Sequence, residues 1–325
     1  ISLGVPRTRA MTPGRRPRPR RARRLPAAWR AARRRRLARP PGPGACGGSM
    51  RYRLGCTLDY VVPEPSVFLF NVAVARCPRQ RLVREELRLA PALTPEELVI
   101  PATGTRFTRL DVPAGRLSLR YEAHVERAPE PPRPATDAAA GVGRTPPAAL
   151  PYLFSSRYCQ ADLLTDLACE VAGDVPPGPA QVAAICDWVY GNLRYLPGAS
   201  DTSTSALDTA RDRTGVCRDF AHLAIALCRA MGIPARFVTG YAWGLVMPDF
   251  HACMEAFLAG RWHLFDPSRK VATDRLVRIG TGRDAADASF ATIFGDGRPS
   301  ELTAMAVFAE PAPDETPATT ARRRA

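Results

Sequence analysis

The chain has 325 residues, 46 basic and 31 acidic, but 15 of the basic ones, all Arg, lie in the first 49 positions beside no Lys, Asp or Glu. The remaining 31 basic residues balance the 31 acidic ones, so the net charge of +15 belongs to that first segment. With 46% hydrophobic residues the rest can bury one large or two ordinary cores, and no apolar run approaches the ~18–20 residues of a membrane-spanning helix; a mini-protein, a wholly disordered chain and a transmembrane role are excluded.

Residues 1–49 are almost wholly Arg, Ala, Pro and Gly and cannot bury enough to fold. Because the chain opens on Ile and Met50 leads straight into a strand pattern, an over-extended start is the first reading of this disordered tail. A nucleic-acid-binding or organelle-targeting arm is the alternative, since clustered Arg attracts phosphate. From Met50 the side chains alternate, Tyr52, Leu54, Cys56, Leu58 and Tyr60 against Arg51, Arg53, Thr57 and Asp59, and Leu117 to Val125 repeat the pattern. With buried runs at 67–74 and 105–112, residues 50–127 read as a β-sandwich-like domain. His124 takes the outward parity. Residues 128–151 hold seven Pro and read as a linker.

Beyond the linker the period changes to that of helices. One helix is marked by Leu163, Leu164, Leu167 and Val171, a second by Val182, Ile185, Trp188, Val189 and Leu193. After a polar loop at 199–215 a third helix begins near Cys217 and stops at Gly232 and Pro234. Strands follow at 235–243, 251–258 and 261–265. Residues 296–325 read as a last strand and a disordered tail.

Nine Cys, an odd number without C-x-x-C spacing, fit free thiols in a reducing, cytoplasmic setting better than a disulfide framework or a zinc site. Cys217 stands in the first turn of its helix, where the positive dipole end and Arg218 favour a thiolate and Asp219 opposes it. A Cys beside an apolar stripe is more often core packing, so its partners decide. His222 lies five residues on and points about 140° away from Cys217. A two-residue hairpin loop at Ala259-Gly260 pairs Leu258 with Arg261, which sets Asp266 opposite Cys253 and diagonal to His251, about 7–8 Å away at the backbone. His263 has the other parity. Parity thus selects a His251/Asp266 pair, and with Cys217 it supplies the parts of a thiol acyl-transfer site. Cys228 sits at the wrong end of its helix; Cys253 shares the face of His251 and is the second choice of nucleophile.

The blocks TGVCRDFAHLAIALCRAMGIPARFVTGY, DFHACMEAF and RWHLFDPSR, in that order, resemble the bacterial transglutaminase-like superfamily over residues 150–280. The preceding β-rich region resembles the N-terminal region that many bacterial members carry. The resemblance implies an α+β, papain-like catalytic domain at 152–295, with Cys217 as nucleophile, His251 as general base and acid, and Asp266 as orienting carboxylate. Where the family usually has an aromatic residue after His-Ala, this chain has Cys253. Trp188 and Tyr195 stand where related enzymes place a group near the oxyanion, although each also reads as a core aromatic. No cofactor and no metal are expected. The expected substrate is a protein or peptide amide, with no membrane partner, and with nucleic acid only through the Arg-rich tail. Two readings from other classes remain: a non-catalytic interaction module on the same fold, and nucleic-acid binding through that tail.

Overall fold

The computed structural model describes residues 49–130, 145–295 and 297–312. The expectations for the Arg-rich segment, the middle of the linker and the C-terminal tail fall outside them. The first layer pair is a β-sandwich. One antiparallel sheet runs β14-β1-β6-β3, built from β1 (Met50–Val62), β3 (Gln80–Ala90), β6 (Gly115–Arg127) and β14 (Glu301–Pro311). The other runs β13-β2-β5-β4, from β2 (Ser66–Phe70), β4 (Glu96–Ile100), β5 (Thr105–Val112) and β13 (Ala291–Phe294). The alternation read in β1 is the burial observed: Tyr52, Leu54, Leu58 and Tyr60 face the core with Leu117, Leu119 and Tyr121 of β6, while Arg53 reaches outward to Glu122.

Across the expected 128–151 linker, the C-terminal strands return to the first half. The β13 strand, placed by its position with the catalytic segment, pairs with β2, and β14 pairs with β1 along its length. One continuous core joins both halves: Tyr241, Val277 and Ile279 pack with the sandwich residues. Polar ties reinforce it. The Tyr241 hydroxyl donates to the Val72 carbonyl (2.8 Å), and the Gln80 amide both donates to and accepts from the backbone of Arg278 (2.7 and 3.0 Å). The end of β6 is anchored likewise, since buried Arg127 donates to the carbonyls of Thr273 and Asp274.

Beyond the sandwich stands a third antiparallel sheet, β11-β10-β9-β12, from β9 (Ala235–Ala242), β10 (Phe250–Leu258), β11 (Arg261–Phe265) and β12 (Leu276–Gly282). The helices are α1 (Thr165–Ala172), α2 (Pro179–Asn192), α3 (Ala206–Asp212), α4 (Cys217–Ala230) and the short α5 (Ala285–Ala288). Every residue of α4 from Asp219 to Arg229 is buried, because it packs against β9 and β10 on one side and α1 to α3 on the other. A two-residue parallel bridge, β7 (Arg194–Tyr195) with β8 (Thr214–Gly215), lies just before α4. No helix among the described residues is long and apolar enough to cross a membrane.

A helix stands where the sequence reads as a polar loop. Ser205 and Asp208 form a reciprocal cap at the start of α3: the Ser205 hydroxyl accepts from the Asp208 N–H, and the Asp208 carboxylate accepts from the Ser205 N–H (3.1 Å).

Candidate active site

Cys217 opens α4 and is partly exposed. Its entry is fixed by the residues before it. The Asp219 carboxylate, fully buried, accepts from the Val216 N–H (2.8 Å) and from the Arg218 guanidinium (3.0 and 3.1 Å). Asp219 therefore caps the helix start and is paired with Arg218. Gly215 is required for that approach, since a Cβ there would stand 2.6 Å from Cβ of Asp219.

The hairpin is the one the spacing predicts. Leu258 pairs with Arg261 and Met254 with Phe265, through a loop whose residues Ala259 (φ 49°) and Gly260 (φ 79°) are both left-handed. Asp266, the first residue past β11, therefore falls on the face of His251. The Nε2–H of His251 donates to Oδ2 of Asp266 at 2.9 Å, with both side chains buried. The carboxylate is held on every side: Oδ1 accepts from the Ser268 N–H (2.9 Å) and hydroxyl (2.7 Å), and Oδ2 also accepts from the N–H groups of Lys270 (3.0 Å) and Val271 (3.1 Å). Burial alone would raise the Asp266 pKa, but the His251 bond and charge and these donors hold it below the usual value.

The opposite holds for the imidazole. Burial pushes His251 down, yet Cys253, the Asp266 carboxylate and Cys217 outweigh it, and its pKa lies well above 6.5. The Cys253 thiol is itself pushed up to about 12 by burial, while the bond to the Asp266 carboxylate favours the protonated ring. Both Cys217 and Cys253 lie near that ring, the Cys253 sulfur within 4.8 Å of a ring nitrogen. Cys253 is fully buried among Val238, Leu264 and Leu276.

Tyr195 is brought to the site by the bridge of β7 with β8. Its hydroxyl lies close enough to Cys217 to feel its charge; burial first, then the charge of Cys217, pushes its pKa up to about 12. Trp188 lies on α2, where the Arg213 guanidinium stacks over its ring at 4.6 Å. The other imidazoles have separate places. His222 is buried in α4, stacked on Tyr158 and accepting from the Ala285 N–H (3.1 Å); His263 pairs with Ala256 in the sheet; His124 lies beside Arg84 on the outer face of β6. Sequence reasoning missed Lys270, the chain's single lysine, whose Nζ stands 4.2 Å above the Tyr195 ring. The signal available was that singularity in a chain so rich in Arg.

Comparison with known proteins agrees with this architecture. Residues 165–267 match the model of the transglutaminase-like superfamily, and residues 50–130 match that of the bacterial transglutaminase N-terminal domain. A Cytophaga hutchinsonii protein solved as a candidate cysteine protease is 41% identical and superposes with a TM-score of 0.78 over 81% of this chain and 91% of its own. An uncharacterised Mycobacterium leprae protein is 36% identical over 126 residues, which span 36% of this chain and 44% of that protein's length. An uncharacterised Mycobacterium bovis protein is 28% identical over 239 residues, 64% of this chain and 75% of its own. The chain belongs to the transglutaminase-like superfamily.

Proposed function

We propose that the protein is a cysteine-dependent enzyme acting on amide bonds of proteins or peptides, with Cys217, His251 and Asp266 as its triad. The observation that carries this reading is that one imidazole joins the other two groups: Nε2 is bonded to Asp266 at 2.9 Å while the Cys217 thiol lies close enough to the same ring to favour its protonated form. A general base oriented by a carboxylate beside a thiol is what nucleophilic acyl transfer requires. In the proposed reaction the Cys217 thiolate attacks the amide carbonyl carbon and the carbonyl oxygen becomes an oxyanion. The Cys217 N–H at the open start of its helix is the candidate donor to that oxyanion, and the Tyr195 hydroxyl, close to Cys217, can turn to donate beside it. The C–N bond then breaks, the protonated His251 gives its proton to the departing amine, and a thioester remains. Water resolves it to a carboxylate, which is peptidase or amidase chemistry; an amine resolves it to a new amide, which is transglutaminase chemistry. No cofactor enters the scheme.

The test is alkylation with iodoacetamide at mildly acidic pH followed by mapping of the modified thiols. Selective modification of Cys217 supports the reading. Slow, uniform labelling of several thiols sinks it in favour of an interaction module on the same fold. The free-thiol usage supports a cytoplasmic setting for this activity.

A further inference from the structure

We infer that the buried group formed by His251, Cys253 and Asp266 is an inhibitory binding site for a zinc-class divalent ion. A ring nitrogen of His251, the sulfur of Cys253 and a carboxylate oxygen of Asp266 all lie within 4.8 Å of one another, with the nitrogen–oxygen separation between His251 and Asp266 at 2.9 Å. Zinc holds such ligands at about 2.0–2.3 Å in a tetrahedron, so neighbouring ligand atoms stand roughly 3.3–3.7 Å apart. Their chemistry suits the ion as well: imidazole, thiolate and carboxylate are the three side-chain donor types that zinc accepts.

The site exists because of two local features already described. His251 and Cys253 are two residues apart on β10 and share one face, and the two-residue hairpin places Asp266 over the same face. An aromatic residue at 253, as in the family pattern, would leave only two donors. Binding replaces protons one for one: the ion takes the place of the proton between Nε2 and Oδ2, and the Cys253 thiol gives up its proton to become a ligand. The two ligand charges then offset the charge of the ion, which suits a site shielded from water. Inhibition rests on the triad reading, because the ion occupies the nitrogen that Asp266 orients. The binding itself does not, since Cys217 is not a ligand.

That independence sets the experiment. Cys217→Ala removes the proposed nucleophile and keeps the site, and it is titrated with Co²⁺ as a spectroscopic stand-in for zinc. The expected result is one tightly held ion per chain with a thiolate-to-cobalt charge-transfer band, and loss of that band in Cys217→Ala/Cys253→Ala. Cys217→Ala/Cys253→Ser, which keeps the volume, guards against a folding defect in the alanine variant and should lose the band too. A single variant without the band, or a band that survives in both double variants, overturns the proposal while leaving the triad untouched. In the wild type, zinc should abolish substrate turnover and a chelator should restore it; turnover indifferent to zinc would equally overturn the inhibitory role.

Discussion

Replacing Asp266 by Asn separates the two things its carboxylate does for His251. The carboxylate accepts five hydrogen bonds, from the His251 ring, the N–H groups of Ser268, Lys270 and Val271, and the Ser268 hydroxyl. An amide has one acceptor oxygen. If that oxygen takes the place of Oδ2, it keeps three of the five, including the bond to His251, and only the Ser268 N–H is orphaned, because the hydroxyl can turn and accept. The other orientation orphans two backbone donors and the imidazole, so the first prevails. Stability should then fall by about 1–3 kcal/mol, the cost of one buried unsatisfied donor. Orientation survives, but the anion is gone. A bond to a charged partner contributes more than one to a neutral partner, so the His251 pKa should drop in the variant. Burial, already acting downward on that ring, then meets less opposition. The sign is fixed: turnover that needs a protonated His251 loses its alkaline limb at lower pH in the variant. The assay is the pH dependence of kcat/KM, with an NMR titration of the imidazole beside it. An alkaline limb in the same place, with the variant folded, would show that Asp266 is not what keeps His251 protonated.

Cys217→Ala should abolish turnover and leave the melting temperature within a few degrees of wild type, as that side chain is partly exposed; activity near wild type would move the nucleophile to Cys253. Tyr195→Phe should lower kcat by about 10²-fold with little change in KM if the hydroxyl turns to donate to the oxyanion, as removal of such a donor typically does; steady-state kinetics decide. Glu255→Gln should cost about 3–5 kcal/mol in urea unfolding, because the buried Glu255 pairs with both Arg236 (2.6 Å) and Arg278 and its loss leaves two guanidinium groups short of an anion. In acid, the Asp266 contribution to stability is complete above its unfolded value of 3.8 and is lost as pH falls through its lower folded value. Asp266→Asn should therefore remove that part of the acid-unfolding curve, and superimposable curves would argue against it.

What was legible in the sequence divides along physical lines. The β1 and β6 strands announce themselves because one side of each is buried and the other meets water, so composition alternates with the pleat. The His251/Asp266 face was legible because only an even loop at Ala259-Gly260 satisfies both strand patterns. In β3 the pattern is broken by a register shift between Leu82 and Arg84, so Leu82 and Leu87 fall on opposite parities of the sequence although both are partly buried. The polar run before α4 conceals α3 because its cap, not an apolar stripe, defines it; the Ser205-x-x-Asp208 spacing was the sign. The return of β13 and β14 to β2 and β1 pairs segments some 220 to 260 residues apart, and no local periodicity reports a partner at that distance. Tyr195 reaches Cys217 only through the short bridge of β7 with β8, too brief to leave a pattern.

Lys270 bears on how an acyl-transfer enzyme avoids becoming its own substrate. If amines resolve the thioester, every side-chain amine on the enzyme's surface competes with the intended acceptor, and enzyme molecules can be welded to one another. Of the 46 basic side chains here, 45 are Arg, whose permanently protonated guanidinium does not act as an acyl acceptor at neutral pH. The one exception stands at the mouth of the site, its ammonium 4.2 Å over the Tyr195 ring. On that reading, side-chain self-modification within the sequence given is confined to Lys270, where peptide mass mapping after turnover can read it directly.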